Sequence, residues 1–245
     1  VVRDQTLGEP IVKGRLHGVG VGPGDPELIT LKALRILREA DVIAYPALEE
    51  GDSLARAIAA PHIPEGREEF AIRMPMLVDR FPAMEVYDQA AERISAALNA
   101  GKSVAVLCEG DPFFYGSFMY LFGRLADQHP VEVIPGVSSL MACAASLSAP
   151  LAARNDVLTV LPAPLEDAVL EARLLATDSA AIVKVGRHFD RVRALLERLN
   201  LAEEAHYVER ATMENQRVLP LRQVDETNVP YFSMILAHRR GRAWT

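Results

Sequence analysis

The sequence predicts an α/β fold in two domains, and three observations carry that prediction. Strand-like and helix-like segments alternate along the 245 residues, which implies largely parallel sheets. The run SVAVL (103–107) is continuously apolar, as strands covered on both faces are. Near 150–155 the alternation is interrupted by Pro150 and the polar Arg154, Asn155 and Asp156. This divides the chain into a polar tail at 1–13, an N-terminal α/β domain at 14–152 and a C-terminal α/β domain at 153–245.

The elements follow in order. RLHGVGV (15–21) reads as a strand. PELITLKALRILREA (26–40) reads as a helix, with Leu28, Leu31, Leu34 and Leu37 on an apolar side and Lys32, Arg35, Arg38 and Glu39 outside it. Asp25 is placed to cap it and Pro26 to fill its first turn. DVIAY (41–45) is the next strand. Residues 46–80 are irregular, broken by Pro46, Pro61, Pro64 and Pro75. A helix over 82–99 closes at Gly101. Strand SVAVL, helix SFMYLFGRLAD, strand VEVI and helix LMACAASLS complete the first half. In the second half DVLTVLPA, AAIVKV, AHYVER and YFSMILAH read as strands. LEDAVLEARLLAT and FDRVRALLERL read as helices, and 213–227 forms a hairpin or an excursion.

Composition narrows the function. Half the residues are hydrophobic, enough for a substantial core. With 26 Lys+Arg against 33 Asp+Glu, the net charge of −7 argues against a nucleic-acid partner. No apolar run approaches a membrane span and no secretory leader is recognisable, so a cytoplasmic protein without a membrane partner is expected. Cys108 and Cys143 lack a CxxC partner, and the histidines lack ligand spacing, so no metal site is expected.

The stretch GVGVGPGD (18–25) resembles a nucleotide loop but fails its tests. Counting from Gly18, Gly20 or Gly22, the third glycine of G-x-G-x-x-G falls on Pro23, Asp25 or Glu27, and no Gly-Lys-Ser/Thr follows. Asp25 would also repel a pyrophosphate at that helix start. CEGDPFFYG (108–116) repeats Gly-Asp-Pro between a strand and a helix, and IPGVSS (134–139) sets two hydroxyls at a helix start. Three loops after parallel strands should converge on one crevice. It would offer glycine backbone, hydroxyls and carboxylates without a fixed cation. S-adenosylmethionine suits such a crevice, having an ammonium, a sulfonium and a ribose diol but no phosphate.

Taken in order, GVGVGPGDPELITLKALRILREADVIAY, GKSVAVLCEGDPFFYGSFMYL and VEVIPGVSSLMACAASLSAPL resemble the successive signatures of the tetrapyrrole methylases. VKVGR and YVERATMENQRV are similar to two later ones. The resemblance covers most of 15–217, and the segment around CEGDPFFYG is most similar to the branch that methylates precorrin-2 in cobalamin biosynthesis. It implies a methyl donor, S-adenosyl-L-methionine, held in a cleft between the two α/β domains, a tetrapyrrole substrate and a homodimer. Carried onto matching positions, it implies donor contacts at Pro23, at Glu109, Gly110, Asp111 and Phe114, at Ser138 and Ser139, and at Val185 and Ala211. The sequence departs from several relatives at Glu109, Val185 and Ala211.

No catalytic residue is assigned outright; Tyr115, Asp111 and His188 are the candidates. Asp111 either meets the donor or caps the next helix. Tyr115 either faces substrate or packs at a helix start. His188 either acts in catalysis or lies at a helix start. Glu209 and Arg210 read as an exposed ion pair. A polycarboxylate substrate calls for local arginines, and Arg67, Arg73, Arg80, Arg187 and Arg217 are placed for this or for solubility. Alternative readings are a methylase acting on another tetrapyrrole, including a cobalt form, a methylase acting on RNA or protein, and a non-catalytic S-adenosylmethionine sensor.

Overall fold

The computed structural model describes residues 14–74, 80–225, 227 and 229–240, with backbone alone at 80–83. The predicted tail at 1–13 and the side chain of Arg80 lie outside the described residues. The chain divides into two units: Val1–Gly22 with Pro26–Val137, and Pro23–Asp25 with Ser138–Thr245.

In the first unit the strands are β1 (Leu16–Gly20), β2 (Val42–Leu48), β3 (Glu68–Met74), β4 (Val104–Cys108) and β5 (Val131–Ile134). They lie in the order β3-β2-β4-β1-β5, and every ladder is parallel. The helices are α1 (Leu31–Glu39), α2 (Leu54–Ala59), α3 (Arg80–Asn99) and α4 (Phe118–Leu125). Alternation along each strand divides the apolar side chains between two faces. Val104, Val106 and Cys108 join Leu16, Ile94 and Phe118 in one buried cluster. Ala105 and Leu107 join Val19, Ile36, Leu37 and Ile58 in the other. The central strands are therefore buried throughout, as β1 and β4 are at every residue.

Residues 46–80 contain more regular structure than the prolines suggested. Strand β2 runs through Pro46 because its ladder to β4 ends at Ala44, leaving no partner on that side for a proline to deprive. Helix α2, whose N-cap Ser53 accepts a hydrogen bond from the Arg56 N–H, and strand β3 follow it among the described residues. The predicted helix 26–40 is two pieces. Pro26–Leu28 is a 3₁₀ turn, and α1 begins after Thr30, whose hydroxyl accepts from the Ala33 N–H. Thr30 rather than Asp25 is thus the cap of the α-helix.

In the second unit, β6 (Leu158–Pro162), β7 (Ser179–Val183), β8 (Ala205–Glu209), β9 (Arg217–Pro220) and β10 (Ser233–His238) form a sheet in the order β6-β7-β10-β8-β9. Only β6 and β7 are parallel; β10 runs against β7 and β8, and β9 against β8. The expectation of largely parallel sheets is corrected here. The last strand, β10, lies in the middle of the sheet between β7 and β8 and runs against both. Helices α6 (Asp167–Leu175) and α7 (Phe189–Arg198) close one face over Leu170, Ile182, Phe189, Leu195 and Tyr207. Helix α5 (Ser139–Leu147) packs on β8 and β10. The division between the units therefore falls one helix earlier than the sequence boundary at 152/153.

Candidate functional site

Strands β4, β1 and β5 are adjacent and parallel, so the loops leaving their C-terminal ends start side by side. They are fused by backbone. The Val21 N–H donates to the Cys108 carbonyl at 2.9 Å, and Gly22 and Gly110 exchange hydrogen bonds of 2.8 and 3.3 Å. A Cβ on Gly136 would stand 2.0 Å from the Gly110 oxygen, and one on Gly20 would stand 2.6 Å from that oxygen and from the Gly136 nitrogen. The alternating glycines thus serve the close approach of three loops to one another. Gly18 serves a different neighbour: the Phe118 ring occupies the place of its missing side chain, at 2.4 Å.

Asp111 completes this knot. One carboxylate oxygen accepts from the N–H groups of Phe113 and Phe114 at 2.9 and 3.1 Å. The other accepts from the Gly136 N–H at 3.1 Å, across to the loop after β5. Its side chain is committed to backbone. Beyond it, Phe114 and Tyr115 meet edge to face at 5.1 Å, and Tyr115 takes a left-handed backbone (φ 57°) and is 44% exposed.

Glu109 turns back into the first unit. Its carboxylate accepts from the Ala55 N–H at the start of α2 at 3.3 Å. Burial raises its pKa above the ordinary carboxylate value, against the lowering by backbone N–H groups of Glu109 and Ala55. A raised folded pKa means that Glu109 favours folding most below its unfolded pKa. That contribution is lost as pH rises through the raised value. Glu109→Gln keeps an acceptor for Ala55 and has no charge to bury. Its melting temperature relative to the parent is expected to rise between pH 4 and pH 8; thermal denaturation across that range checks it.

The remaining predicted residues gather in the second unit. Pro23–Asp25 belongs there: the Asp25 N–H donates to the Thr212 hydroxyl at 3.0 Å, and a Cβ on Gly24 would meet the Ala211 oxygen at 3.0 Å. Ala211 is 6% exposed. Ser138 is the N-cap position of α5, its side chain making no capping hydrogen bond, and Ser139 is exposed on the first turn. Val185 is wholly buried in the core, and its carbonyl accepts from the His188 N–H at 2.7 Å. His188 lies in the short turn leading into α7, half-buried, and burial followed by Arg187 and Arg191 lowers its pKa. Left-handed non-glycine residues mark these loops: Tyr115, Lys184, Arg210 and Thr212 are four of the seven among the described residues. Each such residue costs about 1–3 kcal/mol, a strain typical of functional loops.

One site feature differs from the sequence reading. Glu209 is not an exposed ion pair; it is 1% exposed and shared by three donors. The period of two in HYVER was the available signal, since Glu209 shares a strand face with the fully buried Tyr207. Of the arginines, Arg67 donates to the Arg38 carbonyl, and Arg73 to the Leu48 and Glu49 carbonyls. Arg187 reaches His188, and Arg217 reaches Glu209. Cys108 and Cys143 are buried free thiols whose pKa values burial raises. Among the described residues no group of three His, Cys, Asp or Glu is placed to hold a metal ion, and no helix is long and apolar enough to cross a membrane.

A parallel α/β unit with three glycine-fused strand-end loops, followed by a mixed α/β unit with left-handed residues in its own loops, defines an α/β protein of two units. The chain belongs to the tetrapyrrole (corrin/porphyrin) methylases, whose family model matches residues 15–225. It is 45% identical over 232 residues to the cobalamin biosynthesis protein CobIJ of Mycobacterium tuberculosis, an alignment covering 91% of this chain and 46% of that protein. The chain thus spans about half the length of that relative. It is 41% identical over 231 residues to the precorrin-2 C(20)-methyltransferase of Sinorhizobium sp, covering 91% of this chain and 94% of that protein. The crystal structure of the native uroporphyrin III C-methyl transferase from Thermus thermophilus matches with a TM-score of 0.66 at 26% identity, covering 92% of both chains.

Proposed function

We propose that the chain transfers a methyl group from S-adenosyl-L-methionine to carbon 20 of precorrin-2, giving precorrin-3A in cobalamin biosynthesis. The observation that carries this is the 41% identity, along nearly the whole of both chains, to a precorrin-2 C(20)-methyltransferase. The loop chemistry agrees: residues 21–30, 109–117 and 135–139 contain no lysine or arginine, and they offer hydroxyls and backbone groups. A cationic sulfonium suits such loops better than a phosphate.

When bound, the donor supplies the electrophilic methyl group. The chain's own part is to bind and orient. In this reading Pro23, Gly110, Phe114, Ser138, Ser139, Val185 and Ala211 contact the donor. Glu109 and Asp111 act through the loops, since their carboxylates bond backbone N–H groups. Alignment of the two reactants can supply on the order of 7–11 kcal/mol, enough to make a protein nucleophile unnecessary. A homodimer working in the cytoplasm belongs to the same reading, and light scattering of the purified protein tests the dimer.

The deciding experiment incubates the protein with methyl-labelled donor and precorrin-2, then locates the label by NMR. One label at carbon 20 is expected. No transfer, or a label at another carbon, overturns the assignment. Transfer to the cobalt-loaded substrate alone redirects it to the cobalt form.

A further inference from the structure

We infer that Glu209 is a positioning residue, a buried anchor that holds the turn Arg210–Thr212 in the shape in which Ala211 meets the methyl donor. The inference rests on the donor reading above and adds to it a residue that does not itself touch the ligand.

Glu209 ends β8 with 1% of its surface exposed. The Tyr207 hydroxyl donates to one carboxylate oxygen at 2.5 Å. Arg210, and Arg217 as the β9 ladder partner of Glu209, donate to the other at 3.0 and 3.5 Å. Tyr207 is itself fully buried, its ring edge-on to Phe189 at 5.8 Å. Burying the Glu209 carboxylate costs desolvation that Arg210 and Arg217, 32% and 45% exposed and so screened by water, scarcely return, and apolar replacements of a buried charge are often no less stable. Stability therefore does not account for the charge.

What the carboxylate grips does. Arg210 is left-handed (φ 50°), and two residues on Thr212 is left-handed as well (φ 70°). Side chains disfavour that backbone, so it persists only where neighbours enforce it. At one end, Glu209 holds the Arg210 guanidinium while the Phe232 carbonyl takes its N–H at 2.9 Å. At the other end, the Gln216 side-chain oxygen accepts from the Thr212 N–H at 2.6 Å and from the Ser146 hydroxyl at 2.7 Å. Between these two anchors lies Ala211, against Gly24, with the Thr212 hydroxyl accepting from the Asp25 N–H. Three donors converge on two oxygens, a demand that an amide cannot meet, because it offers one acceptor and two N–H groups.

The test measures S-adenosylhomocysteine affinity by calorimetry, with the melting temperature recorded alongside. Glu209→Gln is expected to bind about tenfold or more weakly, the scale of a lost hydrogen bond to a charged group. It should raise KM for the donor more than it lowers kcat. Adding Arg210→Gly, whose backbone accepts the left-handed shape without strain, should restore most of the affinity. A purely structural role would lower the melting temperature, leave the affinity of the folded protein unchanged and gain nothing from glycine. Binding by Glu209→Gln within twofold of the parent overturns the inference, as does failure of Arg210→Gly to restore it. If Glu209→Gln does not fold, Gln216→Ala tests the same turn from its exposed end, with the same loss expected and unchanged binding overturning the anchor. Absence of binding by the parent protein sinks the donor reading and this inference with it; parent binding with unaltered variants sinks this inference alone.

Discussion

Gly136→Ala is expected to abolish methyl transfer and to lower the melting temperature by about 6–12 °C, on the scale of 2–4 °C per kcal/mol for a chain of this size. The added Cβ would sit 2.0 Å from the Gly110 carbonyl oxygen and 2.8 Å from the Gly20 Cα. Overpacking in a core typically costs about 1–3 kcal/mol because side chains can shift to new rotamers. Here the obstacles are backbone atoms of two other loops, which have no rotamer to adopt, so the upper end of that range or beyond is expected. Relief requires the loop after β5 to withdraw, which also breaks the hydrogen bond from the Gly136 N–H to Asp111. The internal control is Gly123→Ala. Gly123 is exposed within α4, and a Cβ there would have nothing within 4 Å. That substitution is expected to be neutral or to stabilise by about 0.5–1 kcal/mol through helix propensity. Thermal denaturation and a single-turnover assay check both. Equal behaviour of the two variants would show that the three loops are not fused as described.

The contrast between these glycines shows what the sequence makes legible. Spacing of apolar residues is enough to find β1, β4, β5 and α3, because long-range packing there reinforces the local pattern. The repeated Gly-Asp-Pro and the glycine alternation point correctly to loops that meet. They do not say what occupies the space beside each glycine. Only the register of β1 with β4 and β5 reveals that Gly20, Gly110 and Gly136 face one another and that Gly18 receives a phenyl ring.

Where the sequence reading fails, two signals compete. Pro46 reads as a break, yet a strand with one ladder ended accommodates it. Phe70 and Ile72 are the two buried residues of β3, set two apart between Glu69, Ala71 and Arg73, a period-two pattern obscured by the prolines around it. Helix α2 has six residues, too few for any periodicity to register. The mixed second sheet was out of reach, because strand direction depends on which neighbour β10 joins. Residue type alone reads Glu209 as exposed, because carboxylates mostly are; Tyr207 shares its strand face, and Arg217 becomes a neighbour only through the β8–β9 ladder.

Asp111 brings the same distinction to an experiment. Asp111→Ala is expected to lower the melting temperature and S-adenosylhomocysteine affinity together. It removes the acceptor for three backbone N–H groups, from Phe113, Phe114 and Gly136. Hydrogen bonds to a charged acceptor contribute about 1.5–3 kcal/mol each, but the exposed Phe113 bond can be replaced by water, so a net loss of about 2–4 kcal/mol is expected. Released from Gly136, the loop after β4 shifts, and a displacement of about 1 Å at the reacting groups is enough to cost on the order of a hundredfold in rate. Asp111→Asn separates the contributions. Its carbonyl can still serve Phe113 and Phe114, while its amide meets the Gly136 N–H donor to donor, so an intermediate loss in both measurements is expected. A residue that merely touched the donor would behave otherwise: affinity would fall with the melting temperature unmoved. That pattern, seen by calorimetry and thermal denaturation of the two variants, would return Asp111 to the ligand and leave the loop knot to its glycines.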